Sequence, residues 1–192
     1  MKVISLFNRT VLLCFLLFLV SCGGQKTQTA TSQEVAPAPA VVKLAKRYDN
    51  ILFAEFTASP EIAKVYPDAA GTLEHSMMTA LQMKNIFKRV STISQDNSLK
   101  ANTLVIKVNI TNLRVVSGAA RFWGGAFAGR SGINLDMQLI DKASGKVIRK
   151  EKKSSCNNAF AAAWTGGSSD HSLLQDMGKI MADYIVDIMP EK

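Results

Sequence analysis

The residues that could carry chemistry fall in two short stretches. The first is Arg121-Phe122-Trp123-Gly124-Gly125-Ala126-Phe127-Ala128-Gly129-Arg130-Ser131-Gly132, in which Gly124 to Ser131 reads G-x-x-x-x-G-R-S. That stands one residue from the phosphate-cradling pattern G-x-x-x-x-G-K-[ST]. Such a loop works by leading into a helix whose first amides hold the phosphate. Here it leads into Ile133, Leu135, Met137 and Leu139, which alternate with Asn134, Asp136 and Gln138 as a strand does. Arg130 also stands where the lysine belongs, so nucleotide binding is set aside. The second stretch, Ser169-Asp170-His171, has the residue types of a hydrolase triad. Sequence neighbours do not face one another in triad geometry, and no G-x-S-x-G elbow supplies a nucleophile. His75 and His171 are far apart, and no His/Cys/Asp/Glu spacing matches a zinc site. No catalytic residue, metal or cofactor is therefore expected, and the chain does not read as an enzyme.

What remains of the first stretch is a flexible Gly-rich connection between two strands. It carries Arg121, Phe122, Trp123, Phe127 and Arg130 as a candidate interaction loop. Aromatics beside arginine, if exposed, make a contact surface. The alternative is that the aromatics fold back onto the core while the glycines permit tight turns. The sequence leaves both open.

The elements that must position this loop are legible from periodicity. Ile51-Leu52-Phe53-Ala54-Glu55-Phe56 is an apolar run bounded by polar and turn residues, a buried strand. Pro67-Asp68 starts a helix with Leu73, Met77 and Leu81 on one stripe, running to about Lys84. Phe87 to Ile93 is a short strand. Asn102 to Val116 alternates with period two, as does Ile133 to Leu139. Asp141-Lys142-Ala143-Ser144-Gly145-Lys146 makes a tight hairpin, with Gly145 suited to a left-handed position. The charged return strand Val147 to Ser155 suits a sheet edge. Leu173, Met177, Ile180, Met181, Tyr184, Ile185 and Ile188 form a last helix, with Asp170 or Ser172 as its cap and Pro190 beyond its end. The expected fold is α+β: a two-layer sandwich of a mostly antiparallel mixed sheet of about five strands, with two helices packed on one face.

The N-terminal residues set the compartment. Lys2 and Arg9 precede Val11 to Val20, an apolar run of about 10 residues that is too short to span a bilayer and fits a signal-peptide core. Leu19-Val20-Ser21-Cys22 resembles the lipobox of bacterial lipoproteins. The resemblance implies cleavage before Cys22, diacylglycerol on its thiol and acylation of the new N-terminus. The alternative is a signal anchor or plain signal peptide with an incidental cysteine. Residues 1–21 are read as a cleaved signal, 22–42 as a Gln/Thr/Ala/Pro-rich flexible tether and 43–192 as one domain. The formal charge of +8 falls by two, for Lys2 and Arg9, to +6 after cleavage. An exported chain with no basic–aromatic run does not point to nucleic acid. Cys14 leaves with the signal and Cys22 is lipidated, so Cys156 is left alone. It is either a half-buried small residue or a link between chains.

From about residue 43 onward the chain resembles a family of small bacterial lipoprotein domains of unassigned function. The residues that carry this are Ile51–Phe56, Gly124-Gly125-Ala126-Phe127-Ala128-Gly129, and Leu135-Asp136-Met137-Gln138-Leu139-Ile140-Asp141 with Ser144-Gly145-Lys146-Val147-Ile148. The fold this implies is similar to the small α/β domain of the curli secretion lipoprotein and of the N-terminal domain of the Tol-system translocation protein. It implies no catalytic residues. The expected function is a membrane-tethered envelope module that binds a protein partner or a second copy of itself. The outer membrane, facing the periplasm, is favoured and the inner membrane left open. The alternative is a carrier of a small or lipidic ligand in an apolar pocket lined by Met77, Leu81 and Met181.

Overall fold

The computed structural model describes residues 41–96, 98, 101–157 and 168–191, within a compact unit spanning Val41–Lys192. The expected signal segment 1–21, Cys14, Cys22 and residues 23–40 of the tether lie outside the described residues.

Strand β1 (Asn50–Phe53) is the apolar run Ile51-Leu52-Phe53. All three side chains are buried, and because neighbours in a strand point to opposite faces, both faces are covered there. The topology gives the reason. β1 lies between β3 (Arg89–Thr92) and β4 (Thr103–Arg114), parallel to both, and strands covered on both faces read as continuous apolar runs. β2 (Thr57–Ala58) runs on beside Asn109 and Ile110 of β4. β5 (Gly132–Asp141) is antiparallel to β4, and β6 (Val147–Cys156) is antiparallel to β5. The sheet order is β3-β1-β4-β5-β6, with β2 off that path beside β4. The sheet is thus mostly antiparallel and has six strands, where about five were expected; the two-residue β2 makes the difference. The charged β6 lies at the sheet's end, as its composition predicts.

Five helical segments are described: α1 (Pro60–Val65), α2 (Ala69–Lys84), α3 (Gly118–Gly124), α4 (Ser168–His171) and α5 (Leu173–Asp187). The two expected helices are α2 and α5; the three short ones carry too few turns to show a period. Leu73, Met77 and Leu81 of α2 form one core with Leu173, Met177, Met181 and Ile185 of α5. The sheet contributes Ile51, Phe53, Leu104, Ile106, Val108 and Ile110, with Ile133, Leu135, Met137 and Leu139. These alternate along their strands, so both long helices cover one sheet face. Burying each such side chain stabilises the fold by about 1.5–3 kcal/mol.

The long helices run side by side in the same direction. Ser76 Oγ donates to the Gln175 carbonyl at 2.8 Å, and Lys84 pairs with Asp183 at 2.5 Å. Between these links α5 presents Gly178 to α2. A Cβ there would stand 2.6 Å from Ser76 Oγ and 2.9 Å from the Met77 amide nitrogen. Only a residue without a side chain allows this approach.

The β5–β6 hairpin closes on Asp141. Its carbonyl accepts from the Gly145 amide at 2.8 Å, and Gly145 has φ 67°. The carboxylate accepts from the Ser144 amide (2.9 Å) and hydroxyl (3.0 Å), the Tyr48 hydroxyl (2.9 Å) and Lys46 (3.2 Å). The Ser144 amide above all, then Tyr48, holds the Asp141 carboxyl well below the usual carboxylate range. Burial, reinforced by the Asp141 carboxylate, pushes the Tyr48 hydroxyl up to about 12.

This hairpin marks one end of the sheet. Leu104 pairs with Asp141 and Ile140 with Val147 at that end, while Arg114 pairs with Gly132 and Gly132 with Cys156 at the other. The ten steps along β4 from Leu104 to Arg114 separate the ends by about 33 Å. The chain joins the described unit at the hairpin end, through Lys46 and Tyr48. The Gly-rich segment leaves from Arg114 at the far end. Cys156, also at the far end, is a free thiol and exposed, not half-buried, because it ends the last strand in the sheet order.

Candidate functional site

Residues 115–131 join β4 to β5 at the far end, and they are more ordered than a flexible connection. Ser117 begins α3, its hydroxyl accepting from the Ala120 amide at 3.2 Å. A 3₁₀ turn, Gly125–Ala128, follows directly. Gly129 then reverses the chain at φ 92°. A Cβ on Gly129 would meet both terminal nitrogens of Arg114 at 3.1 Å. That guanidinium donates to the Ala128 carbonyl at 3.2 Å, so the glycine is required twice, by its torsion and by its neighbour.

Arg121 organises the loop from inside. Its side chain is fully buried, as is that of Asp170, its partner from α4. Nε donates to Asp170 Oδ2 at 2.9 Å and a terminal nitrogen donates to Oδ1 at 2.9 Å, a two-pronged ion pair. The other terminal nitrogen donates to the carbonyls of Gly125 (3.1 Å) and Gly129 (3.0 Å). Asp170 Oδ1 also accepts from the Ser131 hydroxyl at 2.5 Å and from the Asn157 amide. Ser131 Oγ accepts from the Val116 amide at 2.8 Å, and Asn157 Oδ1 accepts from the Ser131 amide at 2.9 Å. Burial pushes the Asp170 carboxyl up, but the bonds from Arg121, Ser131 and Asn157 and the Arg121 charge outweigh it. The carboxyl is held below its usual value. One clasp thus ties together α3, the 3₁₀ turn, the start of β5, the end of β6 and α4.

With the arginine drawn inward, the aromatics are left outside. Phe122 is 79 % exposed, Trp123 86 % and Phe127 101 %. Phe122 and Trp123 meet edge to face, with ring centres 5.2 Å apart. Arg114 and Arg130 are exposed on the same segment. Of the five candidate loop residues, Phe122, Trp123, Phe127 and Arg130 are surface groups. Arg121 is not; its charge is consumed by Asp170, and it positions the loop. Its partner lies 49 residues away, where local pattern offers Asp170 a rejected triad or a helix cap but no distant cation. Asp170 is no cap: its carboxylate turns into the clasp, and α5 follows Ser172, whose side chain makes no capping bond to the backbone.

The stretches weighed for chemistry are separated by the same geometry. Ser131, at the end of the loop pattern, leads into a strand and spends its hydroxyl on Asp170. His171 and His75 are exposed while Asp170 is buried. Among the described residues no group of three or more His, Cys, Asp or Glu could hold a metal, and no helix is long and apolar enough to cross a membrane. Met77, Leu81 and Met181, expected to line a ligand pocket, are fully packed in the core. A hollow of about 880 Å³ lies instead on the outer side of the helix pair, lined by Gly71, His75, Ala80, Met83, Gln175 and Lys179 among others.

Comparison with solved structures finds low-identity likenesses. The PelC dodecamer from Paraburkholderia phytofirmans is 18% identical, covering 71% of this chain and 90% of that one, at a TM-score of 0.48. Protein XCC0632 from Xanthomonas campestris is 12% identical, covering 76% and 90%, at 0.49. Lipoprotein GNA1162 from Neisseria meningitidis is 10% identical, covering 72% and 98%, at 0.40. No curated protein matches the chain. A family model described as a domain of unknown function, DUF4410, matches residues 27–187, and the chain belongs to that family.

Proposed function

We propose that the chain is an envelope lipoprotein, cleaved before Cys22 and held by acyl chains on that residue. Its domain is a non-catalytic module that binds an envelope protein partner or a second copy of itself through the loop at residues 118–130. The observation that carries the reading is the patch of Phe122, Trp123 and Phe127, almost wholly exposed on a segment that the Arg121–Asp170 clasp fixes. Exposed aromatics are costly in water unless something covers them, and rigid aromatics with flanking arginine are the residue types that dominate interface energetics. Several acyl chains on one residue give firm anchoring where one gives weak anchoring. Gly23 after Cys22 is no obvious inner-membrane retention signal, so the outer membrane, facing the periplasm, is the favoured site.

Chemical cross-linking in intact cells, followed by purification of the tagged protein from solubilised envelope, tests this reading. The wild type is compared with Phe122→Ser, Trp123→Ser, Phe127→Ser. A discrete partner or homo-oligomer ladder that vanishes in the variant is expected. A monomer without a partner in both would sink it. The second reading, a carrier of an apolar ligand, is favoured by the hollow outside α2 and α5 and would then lead.

A further inference from the structure

The hairpin end of the domain, opposite the aromatic loop, carries a second surface. Lys43, Lys46, Lys146 and Arg149 converge around a hollow of about 360 Å³ floored by Leu44, Tyr48, Val147 and Ile148. Lys43 and Lys146 are exposed and have no ion pair among the described residues. Arg149 donates to the Val42 carbonyl at 2.9 Å and to the Tyr184 hydroxyl at 3.3 Å, the hydroxyl that in turn donates to Glu151, and it makes no direct ion pair among the described residues. Arg47 donates to the Pro190 carbonyl at 2.8 Å. Of the nearby carboxylates, Asp141 pairs with Lys46 at 3.2 Å and also accepts from Tyr48 and Ser144, so the charge of Lys46 is already opposed, while Asp49 is engaged by Lys88 and Glu151 by Tyr184. Asp187 and Glu191, exposed at the end of α5, are the acids that remain close by in the chain.

We infer that this hollow seats the phosphate groups of anionic phospholipids in the membrane that holds the chain. The inference rests on the proposed anchor at Cys22. Two observations select that occupant. The chain leaves the described unit at Val41, next to these cations, so the residues from Cys22 to Ala40 join the domain at this end. Taken as the Gln/Thr/Ala/Pro-rich tether that the sequence implies, a segment of that length has a root-mean-square span of about 25 Å, less than the domain's own length of about 33 Å along β4. The end with the cations therefore meets the membrane more readily than the end with the aromatics. The charge is also of the right sign, and each lysine or arginine near an anionic leaflet strengthens attachment about fivefold. Docked in this way, the domain points Phe122, Trp123 and Phe127 away from the anchoring bilayer, toward a partner.

The test is amine acetylation of the full-length protein, purified from membranes and reconstituted into vesicles. One set is phosphatidylcholine alone and the other contains phosphatidylglycerol. Labelling of each lysine is read by mass spectrometry. Lys43, Lys46 and Lys146 are expected to be protected on the anionic vesicles only, with high salt abolishing the protection. Exposed Lys64 and Lys179 should label equally on both. In the Lys43→Gln, Lys146→Gln variant, protection of Lys46 should fall steeply. Equal labelling of the three lysines on both vesicle types overturns docking. Equal protection by inorganic phosphate on phosphatidylcholine vesicles also overturns it, in favour of a soluble phosphate ligand. The mass of the N-terminal peptide reports acylation of Cys22 independently. An unacylated chain that still shows anionic protection supports docking and refutes the anchor; an acylated chain with no protection does the reverse.

Discussion

Between Ser76 and Gly178 two helices approach over an apolar stripe, and the sheet beneath them is filled by Leu, Ile and Met. At the far end of β4 the loop at 115–131 has little apolar interior and is set by one buried ion pair with its hydrogen bonds. The difference is in how each region fails. An apolar layer loses stability in proportion to what is removed. A buried ion pair contributes little net stability when whole, yet removing one partner strands a charge. The first region can drift through many similar sequences; the second is all or nothing.

The largest expected effect therefore comes from the clasp. Asp170→Ala leaves Arg121 buried and unpaired and should cost about 3–5 kcal/mol, read as a lower urea midpoint. Replacing both, Arg121→Leu with Asp170→Leu, should cost far less than Asp170→Ala alone. A double variant as unstable as the single one would show that the Gly125 and Gly129 carbonyls depend on the guanidinium itself. The clasp also sets an acid limb. The carboxyls of Asp170 and Asp141 are both lower in the fold than the ordinary value of about 3.9. Their contribution is thus full above that value and is lost as the pH falls through the folded values. Asp170→Asn should flatten part of this loss in urea unfolding followed against pH. At the other end Tyr48, raised to about 12, contributes below its ordinary value of about 10 and loses that contribution as the pH rises through 12. Tyr48→Phe should remove that alkaline step.

The helix pair comes next. Gly178→Ala would drive a methyl into Ser76 and the Met77 backbone, forcing the helices apart at a cost of about 1–3 kcal/mol. The backbone nitrogen cannot yield as a side chain could, so Ser76→Gly should restore only part of the loss. Gly129→Ala is expected to cost about 1–3 kcal/mol, as a non-glycine residue held in a sparsely populated torsion does. It also displaces Arg114, so it should raise amide exchange in residues 125–130 while leaving α2 and α5 protected.

These two regions also differ in how far the sequence exposes them. Leu73, Met77 and Leu81, and Leu173, Met177 and Met181, repeat at a spacing that names both the helix and its buried face. The alternation in β4 and β5 does the same for the sheet. The continuous run in β1 signals a strand covered on both sides, but not that β3 and β4 flank it in parallel. Such pairings carry no local period, and two-residue β2 is too short to show one. The clasp was hidden for a related reason. Arg121 reads as an exposed cation among aromatics, and nothing nearby announces Asp170 or Asn157. A buried ion pair between segments 49 residues apart has no spacing rule. The available hint was Ser117, a residue type that starts helices, three positions before Ala120.

The smallest stability effect belongs to the aromatics, and it is the most informative. Phe122, Trp123 and Phe127 have little to lose from the core, since they are 79 to 101 % exposed. Changing all three to serine should leave the urea midpoint nearly unchanged, each site altering the stability by no more than about 0.5 kcal/mol. The edge-to-face ring contact between Phe122 and Trp123 is given up with these side chains. The same change should abolish the cross-linked species in cells. Asp170→Ala offers the complementary case, in which the aromatics are present but the frame beneath them is released. If that variant, at a temperature where it stays folded, keeps the cross-links, the rings alone suffice for binding. If it loses them as fully as the serine variant does, the partner recognises the rings only in the arrangement that Arg121 holds. The clasp would then be maintained for the geometry of the loop rather than for the stability of the fold.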